Sequence, residues 1–226
     1  MTLRKAGRPV RLWDAPTRVF HWVLVALLGA LWWTGSNGLL DWHRRAGYCV
    51  VALLLFRVFW GFAGGSSARF SSFLKGPRTI ASYIRHDMFR RDGVPHLGHN
   101  PVGGWSVVAM LSLLAVQTGL GLISVDIDGL ESGPFSYLVG FDTGRWAAGL
   151  HHIFFNLILA IVMIHIIAIA FYLIARRENL IIPMISGNKM TNVEDKKVYF
   201  VSVWRGIALI IFSGISVWMV ISICGR

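Results

Sequence analysis

The chain has 226 residues, 55% of them hydrophobic and only 15% charged, with ten Trp and a mean hydropathy of +0.59. That composition excludes an ordinary soluble domain and points to a single integral membrane domain. The net charge of +11 is explained by membrane topology, as the order of the segments shows, so no nucleic-acid partner is expected.

Five apolar runs are long enough to cross a bilayer core, which takes about 20 helical residues. They are Val19–Leu40, His43–Ala63, Gly103–Ser124, Trp146–Ala175 and Val203–Ile223. The segment before the first run carries Arg4, Lys5, Arg8, Arg11 and Arg18. That run is too long, and lacks a small-x-small site, for a cleaved signal peptide. The short connection SNGLLD makes the first two runs an antiparallel helical hairpin. The next connection is long and basic, with Arg69, Lys75, Arg78, Arg85, Arg90 and Arg91. Within it, Pro77 to Arg91 predicts a short helix with Ile80, Tyr83, Ile84 and Met88 on one face, suited to the membrane surface or to packing on the bundle. The connection from Val125 to Arg145 is acidic, holding Asp126, Asp128, Glu131 and Asp142 against one arginine. The fourth run is followed by Arg176, Arg177, Lys189, Lys196, Lys197 and Arg205. One side thus collects 17 basic residues and the other 4, with Arg57 inside a run. The positive-inside rule then places the N-terminus in the cytoplasm and, after five spans, the C-terminus outside. Cys49 and Cys224 lie in apolar runs without CxxC or CxxCH, so packing is their expected role.

The eight histidines carry the functional signal. In HHIFFNLILAIVMIH, His151 and His165 are fourteen residues apart. Fourteen steps fall within about 40° of four whole turns, so both rings face one side, about 21 Å apart along the axis. His152 points about 100° away. His21 opens the first run at the inner side, and His43 opens the second at the outer side. Two transverse pairs result: His43 with His151 outside, and His21 with His165 inside. Four inward imidazoles at two depths suit two bis-histidine haems. Zinc would draw its ligands to one point, and a proton relay would mix Asp or Glu into the spans. A single histidine of this kind is more often an interfacial or hydrogen-bonded core residue; the set of four argues for the cofactor. His86 and His96 read as solvated loop residues. His99, in GHNPVGG, reads as structural or as a haem-edge residue. His152 is an alternative to His151, or a partner for a propionate or water. Haem propionates need cationic or hydrogen-bonding partners; the candidates are Arg18, Arg44, Arg57 and Arg145, with Arg45 beside Arg44.

Four pieces of the chain, VRLWDAPTRVFHW, HRRAGYCVVALLLFRVFWGFAG, RFSSFLKGPR with GHNPVGGW, and HHIFFNLILAIVMIH, together resemble the bacterial cytochrome b-561 / nickel-hydrogenase-type cytochrome b family. They cover about residues 10–190. The resemblance implies haem ligands on the first, second and fourth helices, hence His21, His43, His151 and His165. The family often has an acidic residue where this chain has His152, which favours His151 as the ligand. The last apolar run departs from the family's four-helix core. The expected fold is therefore an all-α membrane protein. A four-helix transmembrane bundle (1–190) would bind two non-covalent b-type haems, and a linker with an extra fifth transmembrane helix would follow (191–226). The resemblance implies electron transfer between a periplasmic partner, a c-type cytochrome or hydrogenase-like oxidoreductase, and membrane quinone. The expected location is the bacterial inner membrane, and a homo-oligomer is compatible with it. A free-standing superoxide:quinone oxidoreductase is the enzymatic alternative, with Arg44, Arg45 and Arg145 as an anion-attracting rim. A non-haem transporter or anchor is the third reading.

Overall fold

The computed structural model describes residues 8–90, 98–128, 131–191 and 198–224. Arg4, Lys5, Arg91, His96, Lys196, Lys197 and Arg226, all weighed above, lie outside the described residues. Among the described residues, five helices are long and apolar enough to cross a membrane. They are α1 (Ala15–Ser36), α2 (Leu40–Ala63), α5 (Pro101–Ile123), α6 (Phe141–Ile174) and α8 (Val203–Cys224). The shorter helices are α3 (Phe70–Phe73), α4 (Pro77–His86) and α7 (Ile181–Ser186).

Each boundary has a local cause. The Asp14 carboxylate accepts from the Thr17 amide at 2.7 Å, capping α1, and Pro16 follows within the first turn. Asn37 and Gly38, the latter at φ +66°, turn the chain into α2. Asn100 caps α5 through the Gly103 amide at 2.7 Å, with Pro101 next. Helix α6 begins at Phe141, five residues before the apolar run, because Asp142 sits in its first turn where the helix dipole favours a carboxylate. Its 34 residues span about 51 Å, well beyond a hydrocarbon core of about 30 Å. The surface helix α4 stops at His86, short of the predicted Arg91. Tyr83 is buried, whereas Ile84 remains exposed.

Helix α1 packs on α2, α5 on α6, and α2 on both α5 and α8. Two apolar clusters fill the bundle. Phe20, Leu53, Phe56, Trp60, Ala68 and Val201 form one near the end where the chain begins, hereafter the N-terminal face. Val50, Leu54, Leu114 and Ile158 form the other. Helix α8 closes on α2 through the buried Ser213 and the Phe59–Phe212 ring contact at 6.0 Å. At Gly206, a side chain would strike Pro16, only 2.5 Å from a Cβ placed there. The extra helix is thus packed on the core's own residues.

The sequence held no signal for the small sheet. Strand β1 (Arg8–Arg11) pairs antiparallel with β2 (Asn188–Thr191), Arg8 opposite Thr191. It joins the chain start to the segment after α6 and confirms that both leave the bundle at one face. Cys49 and Cys224 are exposed free thiols on the apolar surface. The packing role expected for them is therefore corrected: an apolar run shows that a residue is at membrane depth, not that it faces the core.

Candidate functional site

The structure gathers His43 and His151 at the face opposite the chain start. Their ring centroids are 6.1 Å apart, with planes at 75°. His43 comes from the first turn of α2, and its Nδ1 lies 3.0 Å from the Leu31 carbonyl of α1. His151 comes from α6, and its Nδ1 lies 2.9 Å from the Gln117 carbonyl of α5. A carbonyl only accepts, so each Nδ1 carries the proton and each Nε2 keeps its lone pair. Backbone partners of this kind orient metal-binding imidazoles.

The spacing of the pair also suits a haem iron. Metal–imidazole bonds of about 2.0–2.1 Å, with rings on opposite sides of one iron, require centroids about 6.3 Å apart. Glycines make room for both rings. A Cβ at Gly35 of α1 would lie 3.2 Å from His43 Nδ1, and one at Gly121 of α5 would lie 3.0 Å from His151 Cε1. The sequence reading missed these two glycines; their one signal is position, on α1 and α5 near the depth of the outer histidines.

The second pair lies toward the N-terminal face. His21 of α1 and His165 of α6 are electrostatic neighbours, and His21 meets Trp22 edge-on at 4.9 Å. The His21 Nδ1 is buried without a hydrogen-bond partner among the described residues. His151, Ile158 and His165 recur every seven residues along α6. Ile158, at the middle, belongs to the apolar cluster with Val50, Leu54 and Leu114. That cluster forms an apolar plug between the two histidine levels. His152 is exposed off this stripe, as is His86 on α4.

The four candidate propionate partners have different surroundings. Arg44 bridges Asp41 at 2.6 Å and also Glu131 of the acidic connection. Arg145 Nη1 donates to the Val125 carbonyl at 3.4 Å. Arg18 Nη1 donates to the Ile185 carbonyl, near Trp22 Nε1 with the Met184 carbonyl at 3.1 Å, so α1 grips α7; Arg18 Nε is buried and unpartnered. Arg57 is 2% exposed, and its Nη1 has no hydrogen-bond partner among the described residues.

Several polar groups escaped the sequence reading because each depends on a distant partner. Asp14 is buried and lies within 3.3 Å of Trp60 Nε1. Tyr83 and Tyr172 share a 2.5 Å hydroxyl contact, and Asn100 Nδ2 donates to Tyr172 at 2.7 Å, tying α4, α5 and α6 together. Burial is the main cause pushing the Tyr83 phenol above its ordinary range.

The chain is similar in sequence to known proteins. Three relatives, from Rhizobium leguminosarum bv. viciae, Bradyrhizobium diazoefficiens and Azotobacter vinelandii, each bear the name "Probable Ni/Fe-hydrogenase B-type cytochrome subunit". They are 27%, 26% and 25% identical, over 80%, 82% and 80% of this chain and 89%, 88% and 88% of their own lengths. No solved structure matches. The profile described as "Prokaryotic cytochrome b561" matches residues 12–187, which takes in all four paired histidines and stops before α8. This multi-pass membrane protein belongs to the prokaryotic cytochrome b561 family, whose cofactor is b-type haem.

Proposed function

We propose that the chain is a di-haem electron-transfer subunit. It links a periplasmic redox partner, hydrogenase-like or a c-type cytochrome, to membrane quinone. The His43–His151 pair carries the reading: the centroids are 6.1 Å apart and both Nδ1 atoms are committed to carbonyls. The names of the relatives support a hydrogenase partner. The uneven basic charge supports a cytoplasmic N-terminal face in a bacterial inner membrane.

His43 and His151 hold the outer haem, and His21 and His165 the inner one. A bound b-type haem supplies reversible one-electron chemistry. The chain supplies position and dielectric. The Leu31 and Gln117 carbonyls fix the imidazole tautomer and raise ligand basicity. Val50, Leu54, Leu114 and Ile158 exclude water between the two levels. The acidic connection lies beside the outer pair, where the exposed Asp128 and Asp142 offer a docking charge to a basic partner. The superoxide reading gains no support, because Arg44 of its cationic rim is neutralised by Asp41 and Glu131.

A pyridine-haemochrome assay on purified protein tests the cofactor count; about two non-covalent b haems per chain are expected, and fewer than two would sink the reading. Reduction of those haems by hydrogen plus a co-expressed hydrogenase, or by a reduced c-type cytochrome, tests the partner. Failure of both donors would remove that assignment.

A further inference from the structure

The N-terminal face of the bundle holds buried polar atoms that the fold itself leaves unanswered. Arg57 sits on a membrane-spanning helix at 2% exposure, and its Nη1 has no hydrogen-bond partner among the described residues. An unpaired guanidinium at such depth is costly. Asp14 offsets part of that charge from nearby, but its carboxylate makes its hydrogen bonds elsewhere: it accepts from the Thr17 amide at 2.7 Å and from Trp60 Nε1 at 3.3 Å. Arg57 is met instead by the face of Phe70, 4.9 Å from the guanidinium carbon to the ring centroid. A ring quadrupole only partly compensates a full charge.

His99 shares this corner. Its ring is held between Trp13 at 4.8 Å and Phe73 at 4.7 Å, and Phe73 in turn contacts Phe70 at 5.8 Å. Its Nδ1 is enclosed and has no hydrogen-bond partner among the described residues. Burial pushes the imidazole down to about 4, with Arg57 and then His165 as the neighbouring charges that add to the effect. His99 therefore stands near both Arg57 and a histidine of the inner pair, and is neutral at neutral pH. A guanidinium and a neutral imidazole N–H share one ligand class. A carboxylate takes the charge of the first and a hydrogen bond from the second. Water would satisfy the donors but add no negative charge to what Asp14 supplies from nearby.

We propose that Arg57 and His99 form a carboxylate-binding bay that receives a propionate of the inner haem, the one held by His21 and His165. This rests on the di-haem reading. It makes His99 a positioning residue and gives Arg57, alone among the four candidate arginines, a charge that the fold does not otherwise engage through a hydrogen bond or ion pair at Nη1.

Spectroelectrochemical titration of the purified, haem-loaded protein tests the bay. Arg57→Gln should move one of two midpoint potentials to more negative values, because a positive charge near the iron favours the reduced state. The expected size is about a tenfold change in the reduced-to-oxidised ratio, about 59 mV for one electron. The other potential should stay in place. Arg57→Lys should restore most of the shift, and His99→Gln should move the same haem by less. A second measurement needs no variant. Redox-difference infrared spectra of wild-type protein carrying haem with ¹³C-labelled propionates should contain a guanidinium-bonded carboxylate band besides a solvent-like one. A solvent-like band alone, or two unmoved potentials in an Arg57→Gln protein that keeps both haems, overturns the bay and leaves the di-haem reading standing. Fewer than two haems in the wild type overturns the di-haem reading and the bay with it.

Discussion

Gly121 offers a sharp test of the outer site. A Cβ there would lie 3.0 Å from His151 Cε1 and 3.2 Å from Nδ1. Carbon atoms in comfortable contact are about 3.5–4.0 Å apart, so alanine would push the imidazole back by roughly 0.5–1 Å. The ring has little slack, because Nδ1 is held 2.9 Å from the Gln117 carbonyl one turn earlier on the same helix. Valine adds two methyl groups and should break that arrangement. Overpacking of this kind costs about 1–3 kcal/mol, roughly a 5- to 150-fold loss of haem affinity. Gly119→Val is the control: the same helix and substitution, but no atom within 4 Å of the new Cβ. Pyridine-haemochrome stoichiometry should stay at about two haems per chain in Gly119→Val and fall toward one in Gly121→Val. The low-spin electron paramagnetic resonance signal of one haem should fade with it. Two haems with unchanged spectra in Gly121→Val would mean that His151 is not held against α5 as an iron ligand, and the outer pair would have to be reassigned.

His43→Ala should cost one haem while leaving the inner one, and His152→Ala should cost none; both are read by haem count and optical spectrum. Ile158→Ala should open a cavity in the plug and lower stability by about 2–4 kcal/mol with both haems retained, measured by thermal unfolding in detergent. The depressed pKa of His99 gives a pH signature in haem-free protein. With a folded value of about 4 and an unfolded one near 6.5, the unfolded chain binds more protons between them. Stability is therefore fully present above about pH 6.5 and is lost as pH falls toward 4, by about 3 kcal/mol. His99→Gln should flatten that part of the pH–stability curve.

Much of the architecture was legible because hydrocarbon imposes simple rules. A helix must be about 20 residues long to cross, its backbone must pair internally, and charges collect outside it. Five runs in the sequence therefore became five helices, and the short SNGLLD connection forced a hairpin. The fourteen-residue spacing of His151 and His165 was equally readable, since helical phase depends on residue number alone. Facing was less legible. In a membrane both the core side and the lipid side of a helix are apolar, so periodicity weakens. Cys49 and Cys224 show the consequence: each lies in an apolar run, yet each is exposed.

By itself, then, the sequence determined the number of spans, the side on which basic residues gather, and four histidines at two depths, because these follow from composition and from the fixed geometry of one helix at a time. Tertiary structure alone decided which atoms meet. It placed Gly35 and Gly121 behind the imidazoles, the Leu31 and Gln117 carbonyls on Nδ1, and the pairing of residues 8–11 with 188–191. It also tied Arg44 to Glu131 while leaving Arg57 and His99 with buried, unanswered nitrogens. Such contacts join residues from eight positions apart, as Gly35 and His43 are, to nearly two hundred, as Arg8 and Thr191 are, and no repeating pattern along the chain encodes them. They arise when separate helices pack, and only then does a buried donor either find its partner or wait for one.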